Sequence, residues 1–238
     1  MSGRPVVVRN VDRSAAEHVP ALASAGVATV HEAAWRSGLL DVRMRPIFPG
    51  AAIAGTAVTA LVTPGDNLMI HLAIEWCRPG DVLVVAASSP TTDGMIGELI
   101  ATSLRAHGVP GVVMDTGVRD VAELRQMEFP IWARAVSAQG TVKASPGSVN
   151  VPVVCAGQRV CPGDVVVADD DGVVCIPAGV AGVVRRRAQQ RLDKEAELRE
   201  RLRAGELAAD LNGLRDLALE IGVRYVDDLA DEGEESLP

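Results

Sequence analysis

One turn-and-strand pattern occurs twice in the sequence and constrains the fold more than any other feature. RPGDVLVVA occupies residues 78–86, and CPGDVVVAD occupies residues 161–169. In each copy Pro presets the turn and Gly accepts a positive φ, so that Asp begins a run of branched apolar residues. We therefore predict two strands of a sheet, each preceded by the same turn. Nothing recurs at a fixed period, which argues against a repeat architecture.

The segments around these strands alternate helical and β-type patterns. We predict a helix that begins near Val30 within AGVATVHEAAWRSGLL, a strand over 51–62 and a helix over 68–76. GELIATSLRAHG indicates a helix from about Gly97, and VPGVVMDTGVRD indicates a buried strand that ends in a loop at 116–120. This order is typical of a mixed α/β domain.

The pattern changes after the second Pro-Gly strand. DDDGVVCIP predicts a hairpin, because Asp-Gly favours a tight turn, and we expect the sheet to end near Pro177. A long charged helix follows from Val180 to Ala204, with Gly205 as its C-terminal stop, and then a shorter helix over 207–221.

These patterns predict three divisions of the chain. They are an α/β domain over 1–179, a helical extension over 180–225 and an acidic tail over 226–238. The extension is too polar for a core, but its leucines and valines could form a seam, so we expect it to pack on a neighbouring subunit. The last residues of the tail are expected to be disordered.

Composition excludes several classes of function. Hydrophobic residues make up 48% of the 238 residues and aromatic residues only 3%, so the core must consist mainly of Val, Ala, Leu and Ile. The formal net charge is -8 and no basic cluster is interleaved with aromatics, which argues against nucleic-acid binding. No apolar stretch approaches a membrane span, so we expect a cytoplasmic protein. The four cysteines stand singly and are expected to be reduced thiols, mostly buried.

A glycine-containing loop runs directly into a helix in TTDGMIGELIATSLRAHG. The free backbone N–H groups at residues 97–100, together with the helix dipole, would bind a carboxylate or phosphate. Alternatively, Gly94 and Gly97 simply turn the chain before an ordinary helix. The spacing fits neither a dinucleotide-binding fingerprint nor a P-loop.

A second candidate lies at Arg119 and Asp120, directly after a predicted buried strand, where α/β proteins collect ligand groups. Arg119 can neutralise a developing enolate oxygen, and Asp120 offers a hard oxygen ligand to Mg²⁺ or Mn²⁺. A structural Arg–Asp pair, or a helix N-cap by Asp120, is the alternative. Lys143 could suggest a Schiff-base aldolase, but TVKASPGS resembles an ordinary polar connection. His31 and His71 have apolar neighbours and are interpreted as structural.

The segments GELIATSLRAHGVPGVVMDTGVRD, VHEAAWRSGLL, DNLMIHLAI and PGDVVVADDDGVV together resemble the class II pyruvate aldolases and the regulator of ribonuclease activity A, RraA. These aldolases cleave 4-hydroxy-4-methyl-2-oxoglutarate and 4-carboxy-4-hydroxy-2-oxoadipate. The resemblance covers about residues 25–225, with separated motifs in the same order. It implies an RraA-like fold of the swivelling β/β/α type, a sheet core flanked by helices.

The resemblance also implies roles for individual residues. Asp120 corresponds to the direct metal ligand, Arg119 to the residue that holds the pyruvate carbonyl or enolate oxygen, and the amides of Leu99 and Ile100 to the carboxylate cradle that begins at Gly97. Glu98 replaces an acid that is commonly Asp in the family and lies near metal-bound waters. Glu32 and Glu195 match acids that reach the same waters from a neighbouring subunit. Glu197 competes with Glu195 for this position. On pattern alone, Glu32 and Glu195 resemble ordinary acidic residues on the surface of a helix.

The expected function is therefore a divalent-metal-dependent aldolase with oxaloacetate decarboxylase activity. It would use Mg²⁺ or Mn²⁺ and no organic cofactor, release pyruvate, and assemble as a trimer or a dimer of trimers with its active site at the subunit interface. Two alternatives remain open. One is a non-catalytic RraA-like regulator of a ribonuclease, and the other is a lyase of the same fold that acts on a different 2-oxo acid. The long helical extension with Glu195 favours the aldolase.

Overall fold

The computed structural model describes residues 4–228, and the chain divides after Leu192 into two compact units. No helix within residues 4–228 is long and apolar enough to cross a membrane. The strands are β1 Arg45–Pro46, β2 Ile53–Val62, β3 Asp81–Ala87, β4 Gly94–Ile96, β5 Val112–Val118, β6 Ile131–Val136, β7 Ser148–Val149, β8 Val153–Cys155, β9 Gln158–Val160, β10 Val165–Asp169 and β11 Gly172–Ile176. The helices are α1 Val19–Ala33, α2 Leu68–Ile74, α3 Glu98–Ala106, α4 Val121–Gln126, α5 Ala181–Arg203, α6 Ala208–Leu211 and α7 Leu214–Glu220.

The main sheet of the first unit is mixed. Its strands lie in the order β1-β6-β5-β3-β2-β10-β11, with β4 beside the end of β5 and β7 beside β2. Strands β2, β3, β5 and β6 are parallel, whereas β10 runs antiparallel to both β2 and β11. The carboxyl ends of four parallel strands therefore meet at one edge of the sheet. In open α/β sheets this is the edge where ligands bind.

Alternating residues of the strands build two apolar layers. On β3, Leu83 and Val85 join a cluster with α2, α3 and α4, while Val82 and Val84 face the opposite side and pack with Trp132. The indole of Trp132 on β6 donates a hydrogen bond to the carbonyl of Asp169 on β10, at 2.9 Å. The two ends of the sheet thus approach each other across the second layer, which gives a nearly closed, barrel-like sheet flanked by helices. The mixed α/β fold predicted from the sequence is confirmed.

Both Pro-Gly-Asp turns precede strands as predicted. Asp81 is the first residue of β3, and Asp164 lies directly before β10. The hairpin of β10 and β11 closes at Asp169 and Gly172, and the sheet ends at Ile176. Helix α5 ends at Arg203, and Gly205 follows with a positive φ of 94°.

Three predicted boundaries are wrong. Helix α1 begins at Val19 and ends at Ala33, whereas the predicted helix begins near Val30. Pro20 lies in its first turn, where proline is favourable. Gly26 interrupts the helix with a φ of 76°. Strand β5 continues to Val118, so the loop after it consists of Arg119 and Asp120 instead of residues 116–120.

The third wrong boundary concerns the shorter C-terminal helix, which is two helices, α6 and α7, separated at Gly213 with a φ of 64°. Within the second unit neither α6 nor α7 has a buried side chain. The expectation that this extension packs on a neighbouring subunit stays a prediction. Residues 229–238 of the predicted acidic tail lie outside the described residues.

Candidate active site

The loops at the carboxyl edge of the sheet converge around Arg119 and Asp120. Besides these two residues they are the segments 63–67 after β2, 88–93 between β3 and β4, and 137–147 after β6. Backbone hydrogen bonds join them: the amide of Gly94 donates to the carbonyl of Gln139 at 2.9 Å, and the amide of Arg119 donates to the carbonyl of Ile96 at 2.9 Å. The site is therefore assembled from segments that are distant in sequence.

Asp120 has a left-handed backbone conformation, with φ 56° and ψ 41°. Asp tolerates this region better than most residues, and such conformations cluster at functional sites. Asp120 occupies the N-cap position of α4, but its side chain makes no capping hydrogen bond to that helix. Instead Oδ2 accepts a hydrogen bond from the backbone amide of Glu98 at 3.1 Å. The simple N-cap interpretation therefore does not account for the carboxylate, which is directed to the start of α3.

Gly97 makes this approach possible. A Cβ atom at position 97 would lie 2.1 Å from Oδ2 of Asp120, far inside contact distance. The φ of Gly97 is -136°, so the conformation itself does not require glycine. The space is what requires it, because any side chain at this position would displace the carboxylate.

The N-terminus of α3 supplies the predicted amide cradle. Gly97 caps the helix without a side-chain hydrogen bond, and the first-turn amides of a helix have no acceptor within it. The Glu98 amide binds Asp120, whereas those of Leu99 and Ile100 have no acceptor recorded in the part of the chain that the structure describes. Ile100 is buried, and Leu99 is 81% exposed. An anion could therefore reach these two amides from solvent.

Arg119 lies beside the same carboxylate. Its Nε is 3.8 Å from Oδ2 of Asp120, and the two side chains are 44% and 41% exposed. A Cβ atom at Gly140 would lie 3.4 Å from Nη1 of Arg119, so the loop after β6 lines one side of the guanidinium. The pair is open to solvent and close to the cradle, which suits a residue that binds a ligand oxygen.

The structure brings together only some of the predicted acids. Glu98 begins α3 beside Asp120, and its Oε1 accepts a hydrogen bond from Thr102 at 2.8 Å. Glu32 on α1 forms ion pairs with Arg36 at 3.1 Å and with Arg191 at 3.9 Å. No contact between Glu32 and Asp120 is recorded within residues 4–228.

Glu195 and Glu197 lie on α5 beyond Leu192, in the second unit. Their predicted approach from a neighbouring subunit therefore stays a prediction. Lys143 is exposed on the loop after β6, whereas Schiff-base chemistry requires a lysine in a desolvated pocket.

The donor atoms fit one kind of metal ion. No group of three or more His, Cys, Asp or Glu side chains that could hold a metal occurs within residues 4–228. This excludes a closed protein cage of the structural zinc type from the described chain. Oδ1 of Asp120 has no partner recorded among the described residues, and one carboxylate is enough for Mg²⁺, which keeps several waters and is completed by substrate oxygens.

Sequence reasoning missed two residues beside the site, Asp66 and Asn67. Both are buried, with 1% and 5% of their surface exposed. They lie between the strand predicted over 51–62 and the helix predicted over 68–76, where no site residue was predicted. The signal that could have revealed them is an Asp-Asn pair directly before an apolar helix, since such side chains bond to neighbouring backbone amides.

Comparisons with known proteins identify the family of this chain. The family described as RraA-like, Aldolase/RraA, matches residues 21–175. A protein of Halalkalibacterium halodurans named "Putative 4-hydroxy-4-methyl-2-oxoglutarate aldolase" is 33% identical over 162 residues, which cover 68% of this chain and 77% of the relative. A 4-hydroxy-4-methyl-2-oxoglutarate aldolase of Thermus thermophilus is 31% identical over 136 residues, 57% of this chain and 83% of the relative.

A solved structure shows the same fold. RraAS2 of Streptomyces coelicolor, described as an unusual member of the RNase ES inhibitor RraA protein family, has a TM-score of 0.69 and 29% identity. The match covers 77% of this chain and 96% of the other. The matched family segment includes every residue of the Arg119–Asp120 site and exceeds half of the chain. The chain therefore belongs to the RraA-like family of aldolases and RraA proteins.

Proposed function

We propose that this chain is a divalent-metal-dependent aldolase that cleaves 4-hydroxy-2-oxo acids to pyruvate and a second 2-oxo acid. The substrates are of the class of 4-hydroxy-4-methyl-2-oxoglutarate and 4-carboxy-4-hydroxy-2-oxoadipate, and oxaloacetate would be decarboxylated at the same site. The observation that carries the proposal is the convergence of Asp120, Arg119 and the open amides of α3 at one edge of the sheet. The aldolase names of the relatives support the same reaction class.

The amides of Leu99 and Ile100 suit the carboxylate of the pyruvoyl group. Two N–H groups at a helix N-terminus bind an anion through hydrogen bonds and through the helix dipole. The burial of Ile100 anchors this turn of α3 to the core. These amides would orient the pyruvoyl group so that its carbonyl oxygen faces Arg119.

Arg119 would stabilise the charge that develops on that oxygen. Cleavage breaks the bond between C3 and C4: the C4 hydroxyl loses its proton, C4 becomes a carbonyl carbon, and the electron pair of the broken bond passes into an enolate at C2 and C3. The enolate is then protonated at C3 to give pyruvate. A fixed guanidinium beside the C2 oxygen favours the enolate over the substrate carbonyl, which accelerates the reaction.

Asp120 would hold a Mg²⁺ or Mn²⁺ ion, which supplies Lewis-acid stabilisation of negative charge on the substrate oxygens. The chain offers this ion one carboxylate oxygen, Oδ1, since Oδ2 is held by the Glu98 amide. Glu98 would act nearby as a general base when its carboxylate accepts a proton through solvent, and as a general acid when it returns that proton. Its Oε1 is engaged by Thr102, so the proton would pass through Oε2. Glu32 and Glu195 would contribute from a neighbouring subunit.

The test is pyruvate release from 4-carboxy-4-hydroxy-2-oxoadipate, 4-hydroxy-4-methyl-2-oxoglutarate and oxaloacetate, with Mg²⁺ or Mn²⁺ and with chelator. Asp120→Ala should abolish metal-dependent turnover. The matched control is Asp171→Ala, since Asp171 is exposed in the turn between β10 and β11, beside the amino end of β2. It should retain wild-type rates. A folded, metal-supplied protein without turnover of any of the three would contradict the proposal.

The likeness to RraAS2 supports a second candidate, a regulator that binds a ribonuclease without catalysis. This candidate predicts that Asp120→Ala still binds the ribonuclease as wild type does, because protein binding does not require a metal ligand at the edge of the sheet. The same variant therefore separates the two functions.

A further inference from the structure

We propose that Asp66 and Asn67 are positioning residues of the active site, because together they tie the segment after β2 to both loops that surround Arg119 and Asp120. The proposal rests on the proposed function for its catalytic consequence. Both side chains are buried and bond to backbone groups, so they would act through the segments that they bind.

Asp66 holds the loop after β6. Its Oδ2 accepts hydrogen bonds from the amides of Ala144 at 2.7 Å and Ser145 at 2.6 Å, while Oδ1 accepts one from the amide of Leu68 at 2.9 Å. A buried carboxylate needs such partners, and charge-assisted bonds of this kind are stronger than neutral ones. Asp66 thus fixes residues 144–145 to the start of α2.

Asn67 holds the other side of the site. Its Nδ2 donates a hydrogen bond to the carbonyl of Met95 at 3.0 Å. Met95 is the central residue of β4, and the strand leads through Ile96 into Gly97 and the amide cradle of α3. The backbone amide of Asn67 also donates to the carbonyl of Val142 at 3.0 Å. One residue thus contacts both surrounding segments.

The two contacts converge on Arg119. Its backbone amide is bonded to the carbonyl of Ile96, directly after Met95, and Gly140 of the other loop lies beside its guanidinium. Loosening either segment would change the distance between Arg119 and the α3 amides. Displacements of about 1 Å at a reacting centre can cost roughly 10²-fold in rate.

The experiment compares Asp66→Asn and Asn67→Ala with Asp164→Asn as a matched control. Asp164 is a buried carboxylate that accepts two backbone amides, from Cys161 at 2.8 Å and Ala178 at 3.0 Å, but it lies at the opposite edge of the sheet. All three variants should lose thermal stability. A general structural effect would lower activity in all three, whereas a positioning role predicts loss of kcat/KM only for Asp66→Asn and Asn67→Ala.

Cleavage by a lysine-specific protease provides a readout that does not depend on catalysis. The sequence contains two lysines, Lys143 in the loop after β6 and Lys194 in α5, and both are exposed. Under native conditions Asp66→Asn should speed cleavage after Lys143 at least about 10-fold and leave cleavage after Lys194 unchanged. A tenfold change corresponds to a decrease of about 1.4 kcal/mol in the free energy of local opening. Asn67→Ala should not accelerate cleavage after Lys143, since it keeps its backbone bond to Val142.

The outcomes separate this proposal from the aldolase assignment. Faster cleavage after Lys143 and a lowered kcat/KM in Asp66→Asn, together with normal turnover in Asp164→Asn, support it. Unchanged cleavage or unchanged kcat/KM in folded Asp66→Asn, or equal activity losses in the Asp66 and Asp164 variants, overturns it. If Asp66→Asn does not fold, unchanged kcat/KM in Asn67→Ala overturns it, and a lowered value supports it. If wild type shows no turnover at all, the aldolase assignment fails, but the cleavage result still shows whether Asp66 restrains the loop after β6.

Discussion

The backbone amide of Glu98 donates a hydrogen bond to Oδ2 of Asp120, and this bond joins the start of α3 to the end of β5 across 22 residues of sequence. It fixes the carboxylate beside the amide cradle before any ligand is present. Because one oxygen is held, the other is presented in a defined direction. The arrangement pre-organises a site that combines a carboxylate, a guanidinium and open amides, and such pre-organisation lowers the reorganisation needed for catalysis.

Replacement of Gly97 by alanine should disable the site without unfolding the chain. The added methyl would lie 2.1 Å from Oδ2 of Asp120, so the carboxylate must move and its bond to Glu98 must break. We expect kcat/KM for oxaloacetate to fall by about 10²-fold or more. The control is Gly179→Ala, where a Cβ atom would meet nothing within 4 Å. Wild-type kinetics in Gly97→Ala would show that the position of Asp120 does not matter.

Replacement of Arg119 by lysine should lower turnover although it keeps the charge. Lysine is a flexible point charge and cannot reproduce the fixed planar donors of arginine. We expect kcat to fall by about 10²-fold, the scale for loss of one oriented donor to a developing oxyanion. Steady-state kinetics measure this, with Arg125→Lys on the exposed face of α4 as the control. A kcat within twofold of wild type would remove Arg119 from the proposed role.

The sequence predicted the elements of this site better than its assembly. Arg119, Asp120 and the helix start at Glu98 could be found because each is a local feature that follows a recognisable strand or loop. Asp66 could not be assigned, since its partners Ala144 and Ser145 are 78 and 79 residues away and no local pattern indicates them. Contacts of this kind depend on which strands become neighbours.

The helix boundaries show a second limit of sequence reasoning. The sequence pattern predicted a helix that begins near Val30, whereas α1 begins at Val19. Proline is favourable in the first turn, and Gly26, with a non-helical φ of 76° and ψ of 163°, separates two short helical segments of α1, which packs on β2, β10 and β11. Tertiary packing therefore stabilises helical segments that would be marginal in isolation.

Loss of Arg13 should destabilise the fold without altering the chemistry of the site. The Asp81 side chain is 2% exposed and pairs with Arg13 at 2.7 Å, and Thr56 and the backbone amide of Arg78 donate further hydrogen bonds to it. Arg13→Met leaves the buried carboxylate without its cation, so we expect a loss of about 3–5 kcal/mol in the free energy of unfolding.

Urea denaturation measures this loss, and Arg43→Met is the control, because the ion pair of Arg43 with Asp41 is solvent-exposed. The control should unfold at nearly the same urea concentration as wild type. The kcat of Arg13→Met, measured well below its unfolding temperature, should remain that of wild type. Equal midpoints for Arg13→Met and Arg43→Met would mean that burial does not strengthen the Asp81 pair.

Three of the four thiols should be unreactive in the folded chain at pH 8. Burial, with a further contribution from Asp81, raises the pKa of Cys77 to about 12 from its ordinary 9.0. Burial likewise raises the pKa of Cys155 and Cys175. Since the thiolate is the nucleophile, Ellman's reagent should react rapidly with Cys161 at most, and Cys161→Ser should remove that reaction.

The same pKa shifts predict a loss of stability at alkaline pH. The unfolded chain releases these thiol protons near pH 9, whereas the folded chain retains them, so the folded state binds more protons and loses stability as the pH rises from 9 towards 12. Cys77→Ala should reduce this slope in urea denaturation measured between pH 8 and pH 10.5. An unchanged slope, or rapid reaction of two or more thiols in the native protein, would contradict the burial of these side chains.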